Sequence, residues 1–275
     1  SIYEGFDLIG KDKTGSGKTI AFALPIIEKL RATNSFTFKE GRPPVMMILV
    51  PTRELCMQLA REIIKLKNSP NEFLVTAIYG GTERARQIRQ IVAGTDIVVA
   101  TPGRTIDFLT SGFLSLTDIK SLVLDETDEM LNIGFAKDIQ EIFNLIKQQL
   151  KVKKRQIESV QFLLFSATIP PFVHNISKLF MKKDTVVVDL VKSSDVTIPQ
   201  SIRHFATTFA NTMEKLSFLK ELLFKLSKCQ KQTLIFTNRK TDADLVAEYC
   251  SGTVRIEQLH GDIDQSKREA IYDAF

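Results

Sequence analysis

Two short stretches carry the residue types needed to handle a nucleoside triphosphate. The first is Asp7–Thr19, which reads Asp-Leu-Ile-Gly-Lys-Asp-Lys-Thr-Gly-Ser-Gly-Lys-Thr. Apolar Leu8 and Ile9 run into a glycine turn, and Lys18-Thr19 open the helical pattern Ile20–Leu30. Glycines at 15 and 17 let the backbone bend closely around an anion with its N–H groups inward, and the helix start adds the positive end of its dipole. Thr14, Gly15, Ser16, Gly17, Lys18 and Thr19 are therefore the expected triphosphate-binding cradle. Lys18 would reach the β- and γ-phosphates and the Thr19 hydroxyl would hold Mg²⁺. Asp12 stands where the general pattern has glycine and its relaxed form alanine. The second stretch is Asp125-Glu126-Thr127-Asp128, directly after Leu122-Val123-Leu124. A carboxylate at the end of a buried apolar strand needs a partner. If that strand lies beside the phosphate loop, Asp125 accepts Mg²⁺ through water and Glu126 orients the attacking water. Taken alone the tetrad reads as an acidic surface turn, and the glycine loop is what favours the metal reading.

These residues need a scaffold, and the chain supplies one by alternation. Apolar runs at Val45–Val50, Phe73–Ile78, Ile97–Ala100, Leu122–Leu124, Phe162–Phe165 and Val186–Leu190 predict strands. Between them, Arg53–Lys67, Glu83–Val92, Arg104–Thr110, Phe135–Leu150 and Pro171–Phe180 place apolar residues at helical spacing. Such alternation predicts an α/β fold, a doubly wound parallel sheet with crossover helices on both faces and ligands at the carboxyl ends of the strands. Residues 191–201, with Ser193, Ser194, Thr197 and Pro199, read as a linker after a first domain over 1–190. The pattern then restarts over 202–275. Strands are expected at Ile202–Phe209, Thr233–Thr237 and Val254–Leu259, and helices at Met213–Leu226, Thr241–Cys250 and from Gln265. That is the beginning of a second α/β unit with too few strands to close, so more chain is expected beyond Phe275. The start just before a strand and the stop inside a helical pattern lead to the expectation that both ends are cut. Lys147–Arg155 reads as a solvated basic extension, with RNA contact as the alternative.

Other strand ends repeat one design of small residues, hydroxyls or arginine. Pro51-Thr52-Arg53 follows one strand, Gly80-Gly81 the next, and Thr101-Pro102-Gly103-Arg104 another. Each alone is a strand-to-helix turn. Three on one edge of a sheet make a surface that reads phosphate and sugar rather than base sequence. Ser166-Ala167-Thr168 also ends a strand, and its hydroxyls can bond Asp128 and sense the nucleotide. His174 and His204 read as structural or surface residues, in a helix and a strand respectively. His260, in Leu259-His260-Gly261-Asp262 at a strand end, reads as functional.

With 44% hydrophobic and 25% charged residues the composition is that of an ordinary globular protein. A net charge of +5 and a pI near 9.0 lean towards a polyanionic partner. The three cysteines have no paired spacing, which argues against a disulfide framework or a zinc site and for reduced thiols inside a cell. No apolar run approaches membrane-spanning length, and the N-terminal residues have no signal-peptide character.

Taken in order, the phosphate loop Thr14–Thr19, Pro51–Leu55, Gly80-Gly81, Thr101–Arg104, Asp125–Asp128, Ser166–Thr168, Leu234–Asn238 and His260-Gly261-Asp262 with Gln265 and Arg268 resemble the DEAD-box family of ATP-dependent RNA helicases in superfamily 2. Leu122–Ala136 and Phe172–Asp189 look most like its nucleolar RNA helicase II (Gu) branch. The tetrad reads DETD, with Thr127 where the family name has alanine, and Cys56 stands where the family usually has alanine.

The resemblance implies two RecA-like domains, the second incomplete here, that close on ATP and single-stranded RNA together. It implies Lys18, Asp125 and Glu126 as catalytic residues and Thr19 and Asp125 as Mg²⁺ contacts. Asp128, Ser166, Ala167 and Thr168 would couple hydrolysis to strand separation. Pro51, Thr52, Arg53, Gly80, Gly81, Thr101, Pro102, Gly103 and Arg104 would contact the RNA backbone, with Asn238, Gly261 and Asp262 doing so from the second domain. It further implies ATP and Mg²⁺ as cofactors, single-stranded or short duplex RNA as partner, a monomer, no membrane, and a nuclear or nucleolar place. The family's adenine-reading glutamine motif would precede Ser1, and its later arginines would follow Phe275. This stretch alone is therefore expected to bind nucleotide weakly and hydrolyse it poorly. One rival is an RNA-binding scaffold without turnover, favoured by Asp12 and opposed by Lys18, Asp125 and Glu126. Another is a DNA translocase of the same superfamily. A simple P-loop kinase is disfavoured because nothing marks an acceptor site.

Overall fold

The computed structural model describes residues 1–11, 17–36, 40–168, 171–190, 202–229 and 232–275. Two compact units divide the chain, Ser1–Asp195 and Val196–Phe275. The expected linker, 191–201, lies outside the described residues.

Unbroken apolar runs become fully buried strands because helices cover both faces of the sheet. In the first unit the strands are β1 (Leu8–Lys11), β2 (Met46–Leu49), β3 (Val75–Ile78), β4 (Ile97–Ala100), β5 (Ser121–Leu124), β6 (Gln161–Ser166) and β7 (Val186–Asp189). Strands β2, β4, β5 and β6 are buried throughout, whereas the edge strand β3 is buried at alternate residues and the edge strand β7 is largely exposed. They form one sheet in the order β3-β4-β2-β5-β6-β1-β7, with every pair parallel. The helices are α1 (Lys18–Ala32), α2 (Arg53–Ile64), α3 (Arg84–Val92), α4 (Pro102–Thr110), α5 (Thr127–Ile133), α6 (Ala136–Val152) and α7 (Pro171–Phe180).

Alternate strand residues feed two separate cores. On one face Leu8, Met46, Ile48, Val99, Val123 and Leu163 pack against Phe22 and Ile26 of α1 and Leu59 and Ile63 of α2. On the other, Met47, Leu49, Val98, Leu122 and Leu164 pack against Phe108 of α4, Ile139 and Phe143 of α6 and Ile176 of α7. Phe143 stacks on Phe180 with ring centroids 4.2 Å apart and meets Phe162 at 5.3 Å, so one ring joins α6, α7 and β6. Asp7, fully buried before β1, accepts from the amides of Phe162 (2.9 Å) and Lys182 (2.8 Å) and ties together the starts of three strands.

Two readings of the sequence need correction here. The Lys147–Arg155 stretch is solvated only in part, with residues 151–154 exposed and its two ends engaged. Lys147 lies over the Phe180 ring, and Arg155 donates to the carbonyls of Thr117 and Ile119, each at 2.8 Å. Helix α5 also escaped the pattern, because its seven residues are too short for periodicity to declare.

The second unit contains α8 (Thr212–Ser227), α9 (Lys240–Cys250) and α10 (Gln265–Ala274), close to the expected helices. The expected strands at 202–209, 233–237 and 254–259 are not formed. No sheet ladder joins these stretches among the described residues, so His204 lies outside any strand. Apolar runs announce strands, but a parallel strand exists only with a partner beside it and a covered face. Here Phe205, Leu234 and Phe236 stand largely exposed.

Candidate active site

All seven strands of the sheet run in one direction, so every strand-to-helix turn falls on the same edge. Strand order divides that edge. The turns after β3, β4 and β2 lie together, and those after β5, β6 and β1 form a second group. The first group holds the predicted backbone-reading residues and the second holds the phosphate loop and the carboxylates.

Strand β1 ends at Lys11 and α1 begins at Lys18, so the loop spans that gap. Asp12, Thr14, Gly15 and Ser16 lie outside the described residues. Gly17, the N-cap, sits at φ 90°, a left-handed conformation that disfavours any side chain. No acidic residue occupies the first turn of α1, which leaves its positive end available to an external anion. The helix carries Lys18 and Thr19 at that end.

Contrary to the simplest expectation, β5 does not adjoin β1, because β6 lies between them. Lys18 nevertheless acts electrostatically on both Asp125 and Glu126. Asp125 is only 5% exposed and accepts the Glu126 amide at 3.0 Å through Oδ1. Burial pushes its carboxyl above the usual range, Asp128 adds to this, and Lys18 opposes it. Burial likewise raises Glu126, followed by repulsion from Asp125, with Lys18 again opposing. Glu126 has φ 52°, a rare left-handed conformation for a residue with a side chain, at the sharp turn from β5 into α5. Backbone strain of this kind concentrates at functional sites.

The intervening strand brings its own end into the group. Asp128 donates its amide to Ser166 Oγ at 3.2 Å, and its Oδ2 accepts both the amide and the hydroxyl of Thr168 at 3.0 Å. The hydroxyl contacts expected from Ser166-Ala167-Thr168 are thus formed. Burial works against ionisation of Asp128, but the Thr168 and Ser166 hydroxyls and the amides of Thr168 and Ala167 outweigh it and hold the carboxyl below its usual range. Thr127, the departure from alanine, is fully buried, and its hydroxyl donates to the Phe165 carbonyl at 3.1 Å. It clips the end of β5 to the end of β6.

The donor set suits a hard cation shared with a triphosphate. Mg²⁺ takes one or two carboxylates and leaves its other positions to phosphate and water. Among the described residues no cluster of three or more His, Cys, Asp or Glu could hold a metal by itself. Asp125, with one carboxylate oxygen engaged by its own turn, and the Thr19 hydroxyl are what the protein offers.

In the other group Thr52 caps α2, accepting the Leu55 amide at 3.2 Å, and Pro51 is buried beside it. The Arg53 guanidinium lies on Gly81, where a Cβ would come within 1.9 Å of Nη1, and Gly81 itself has φ 80°. Gly80 is also beside Arg53, so two separate motifs meet. Thr101 is buried and its amide extends the sheet to the Ile78 carbonyl at 3.0 Å. Pro102 opens α4 as its first residue, and the space around Gly103 is open. Arg104 lies 5.3 Å from the Phe108 ring centre, and its Nη1 is buried without a hydrogen-bond partner. Asp107 was not foreseen. It binds Arg84 at 2.8 Å and lies 3.7 Å from Arg104, and the Arg84 hydrogen bond holds it below the usual carboxylate range. The i, i+3 spacing from Arg104 was the available signal.

In the second unit Asn238 is exposed just before α9. Lys240 of that helix pairs with Asp262 at 2.5 Å, beside Gly261, and His260 Nε2 meets Asp244 at 3.0 Å. The 238–240 turn and the 260–262 turn are therefore neighbours.

A DEAD/DEAH box helicase model matches residues 1–176, and a helicase conserved C-terminal domain model matches residues 214–275. The chain belongs to the DEAD-box helicase family. It is 36% identical over its whole length to "Nucleolar RNA helicase 2" of Rattus norvegicus, covering 34% of that protein. It is 37% identical over 99% of its length to "DEAD-box ATP-dependent RNA helicase 3B, chloroplastic" of Zea mays, covering 35%. The corresponding values for "ATP-dependent RNA helicase DDX50" of Homo sapiens are 36%, 100% and 36%. The chain thus spans about a third of the length of these relatives. Among solved structures, "DEAD-box helicase Mss116 bound to ssRNA and UDP-BeF" aligns over 100% of this chain and 56% of that one, with TM-score 0.84 and 27% identity. A DEAD box protein from the hyperthermophile Methanococcus jannaschii aligns over 99% and 67%, with TM-score 0.56 and 31% identity. The RecA-like expectation for the fold agrees with these neighbours. No helix among the described residues is long and apolar enough to cross a membrane.

Proposed function

We propose that the protein containing this chain is an ATP-dependent RNA helicase, hydrolysing ATP in response to RNA and using the cycle to unwind or remodel short RNA structures locally. The observation that carries this is the linkage on one sheet edge. Asp125 and Glu126 sit within reach of the Lys18 charge, and the next residue but one, Asp128, is gripped by Ser166 and Thr168. Thr14, Gly15, Ser16, Gly17, Lys18 and Thr19 hold the triphosphate. Asp125 and Thr19 hold its Mg²⁺, partly through water. When bound, the Mg²⁺–ATP pair supplies the reactive phosphoryl group with its charge neutralised. Glu126 orients the attacking water and accepts its proton, a role suited to a carboxyl raised by burial. The Asp128–Ser166–Ala167–Thr168 contact passes the nucleotide state to the RNA side.

On that side Pro51, Thr52, Arg53, Gly80, Gly81, Thr101, Pro102, Gly103 and Arg104 contact the RNA backbone. Asn238, Gly261 and Asp262 do so from the second unit. The domains are 1–190, a 191–201 linker and 202–275. The protein acts as a monomer. A nucleolar or nuclear place is supported by two relatives' names, although others are named chloroplastic or mitochondrial.

The test is phosphate release with and without single-stranded RNA by the longer protein, beside its Glu126→Gln variant. Turnover that rises with RNA and disappears in the variant is expected. Absence of RNA-dependent turnover would favour the second reading, an RNA-binding scaffold that kept the fold. That reading draws on Asp12, which adds a negative charge to a loop built for phosphate.

A further inference from the structure

The opposite edge of the same sheet, where strands begin, carries a recess of about 350 Å³. Its lining includes Lys29 from the last turns of α1, Lys120 before β5, Arg155 after α6 and Lys182 before β7, against one carboxylate, Glu4. Lys29 is half-buried and has no carboxylate contact among the described residues. Its charged neighbours are Lys182 and Lys120, and burial followed by those two amines lowers its pKa. Arg155 spends its donors on main-chain carbonyls and the Ser159 hydroxyl rather than on an acid. Of the four cations only Lys182 faces a carboxylate among the described residues, Asp7 at 3.4 Å, and Asp7 already accepts from two amides.

A second observation comes from Gln161. It lines the same recess, is 4% exposed, and its Oε1 is buried with no donor among the described residues. Its amide nitrogen donates to the carbonyls of Ile2 and Phe6, at 2.8 and 2.7 Å, which fixes Oε1 as the acceptor. Converging cations that outnumber the nearby carboxylates call for phosphate, and a buried orphan acceptor calls for a hydroxyl. From this we propose that the recess binds a compact phosphorylated polyol, a sugar or inositol phosphate, with phosphates on Lys29, Lys120 and Lys182 and a hydroxyl donated to Gln161. A polynucleotide backbone needs an extended basic track rather than a single recess. The site lies at the far end of the strands from Lys18 and Asp125, so it is separate from the proposed ATP site.

Calorimetric titration of inositol 1,4,5-trisphosphate, which keeps free hydroxyls beside its phosphates, with pyrophosphate as the hydroxyl-free probe, tests this on the intact chain. Saturable binding is expected to survive Lys18→Ala, to weaken by roughly tenfold or more in Lys29→Gln, and to recover in Lys29→Arg. Gln161→Leu should weaken the polyol phosphate and leave pyrophosphate unchanged. Without ligand, Lys29→Gln should melt no lower than the parent, because it removes like-charge repulsion. Binding lost in Lys18→Ala but intact in Lys29→Gln would place the anion at the phosphate loop and overturn the proposal. So would absence of saturable binding, or displacement of the probe by single-stranded RNA with equal effect in the parent and Lys18→Ala.

Discussion

Glu126 combines an unfavourable backbone conformation with an unfavourable charge environment. A left-handed residue with a side chain costs about 1 kcal/mol, and its carboxylate faces Asp125 from a partly buried position. Glu126→Gln should cut RNA-stimulated phosphate release by roughly a hundredfold or more, while the melting temperature stays level or rises. Activity and calorimetry on the same sample check both halves. The pH dependence follows from the raised carboxyls. In the folded state Asp125 and Glu126 hold protons into a range where the unfolded chain has lost them. Their contribution to stability is therefore fully present in acid and is lost as pH rises through the folded values. Asp128 has the opposite sign, contributing above the ordinary carboxylate range and losing that contribution as pH falls through its lowered value. Asp125→Asn should accordingly stabilise the chain more near neutral pH than in mild acid, as read from urea melts at the two conditions. Asp12→Ala should tighten ATP by roughly tenfold in an equilibrium titration. An unchanged affinity would remove the charge argument for the scaffold reading.

At the scale of elements, the contact of Asp128 with Ser166 and Thr168 joins the turn after β5 to the turn after β6. Thr168→Val removes the hydroxyl that Asp128 accepts and keeps the shape. Duplex unwinding should fall by roughly tenfold with ATP hydrolysis changed far less, as seen by running both assays side by side. Packing has its own test in Phe143, where one ring joins two helices and a strand. Phe143→Ala should cost about 3–5 kcal/mol in a denaturant melt. The first unit's strands and helices were legible because each buried run carried its own periodicity, and Asp125–Asp128 was legible as acids abutting such a run. The strand order was not, since pairing is a property of the sheet. It decides that β6 separates β5 from β1, and that Arg53 finds Gly81 across a turn.

For the molecule as a whole, the two units differ in how well they enclose themselves. The first buries two cores on either side of a seven-stranded sheet. The second buries Leu216, Leu223, Ala247 and Cys250 while Phe205, Leu234 and Phe236 stay exposed. Expressed separately, residues 1–195 should melt cooperatively, and residues 196–275 should bind an apolar dye and melt over a broad range. The sequence misled in the second unit because alternation shows where a strand can form, and the missing partners are invisible to it.

Chemical labelling can read these differences without any engineered residue. Cys56, buried under the sheet, donates to the Val99 carbonyl at 3.1 Å, and burial pushes its thiol up to about 12. Cys250 is buried in the second unit, whereas Cys229 is exposed. A maleimide pulse on the native chain should modify Cys229 at once and spare the other two. Each later addition then marks the opening of one unit, Cys56 for the first and Cys250 for the second, so a mass spectrum taken over time gives two separate unfolding clocks in one tube.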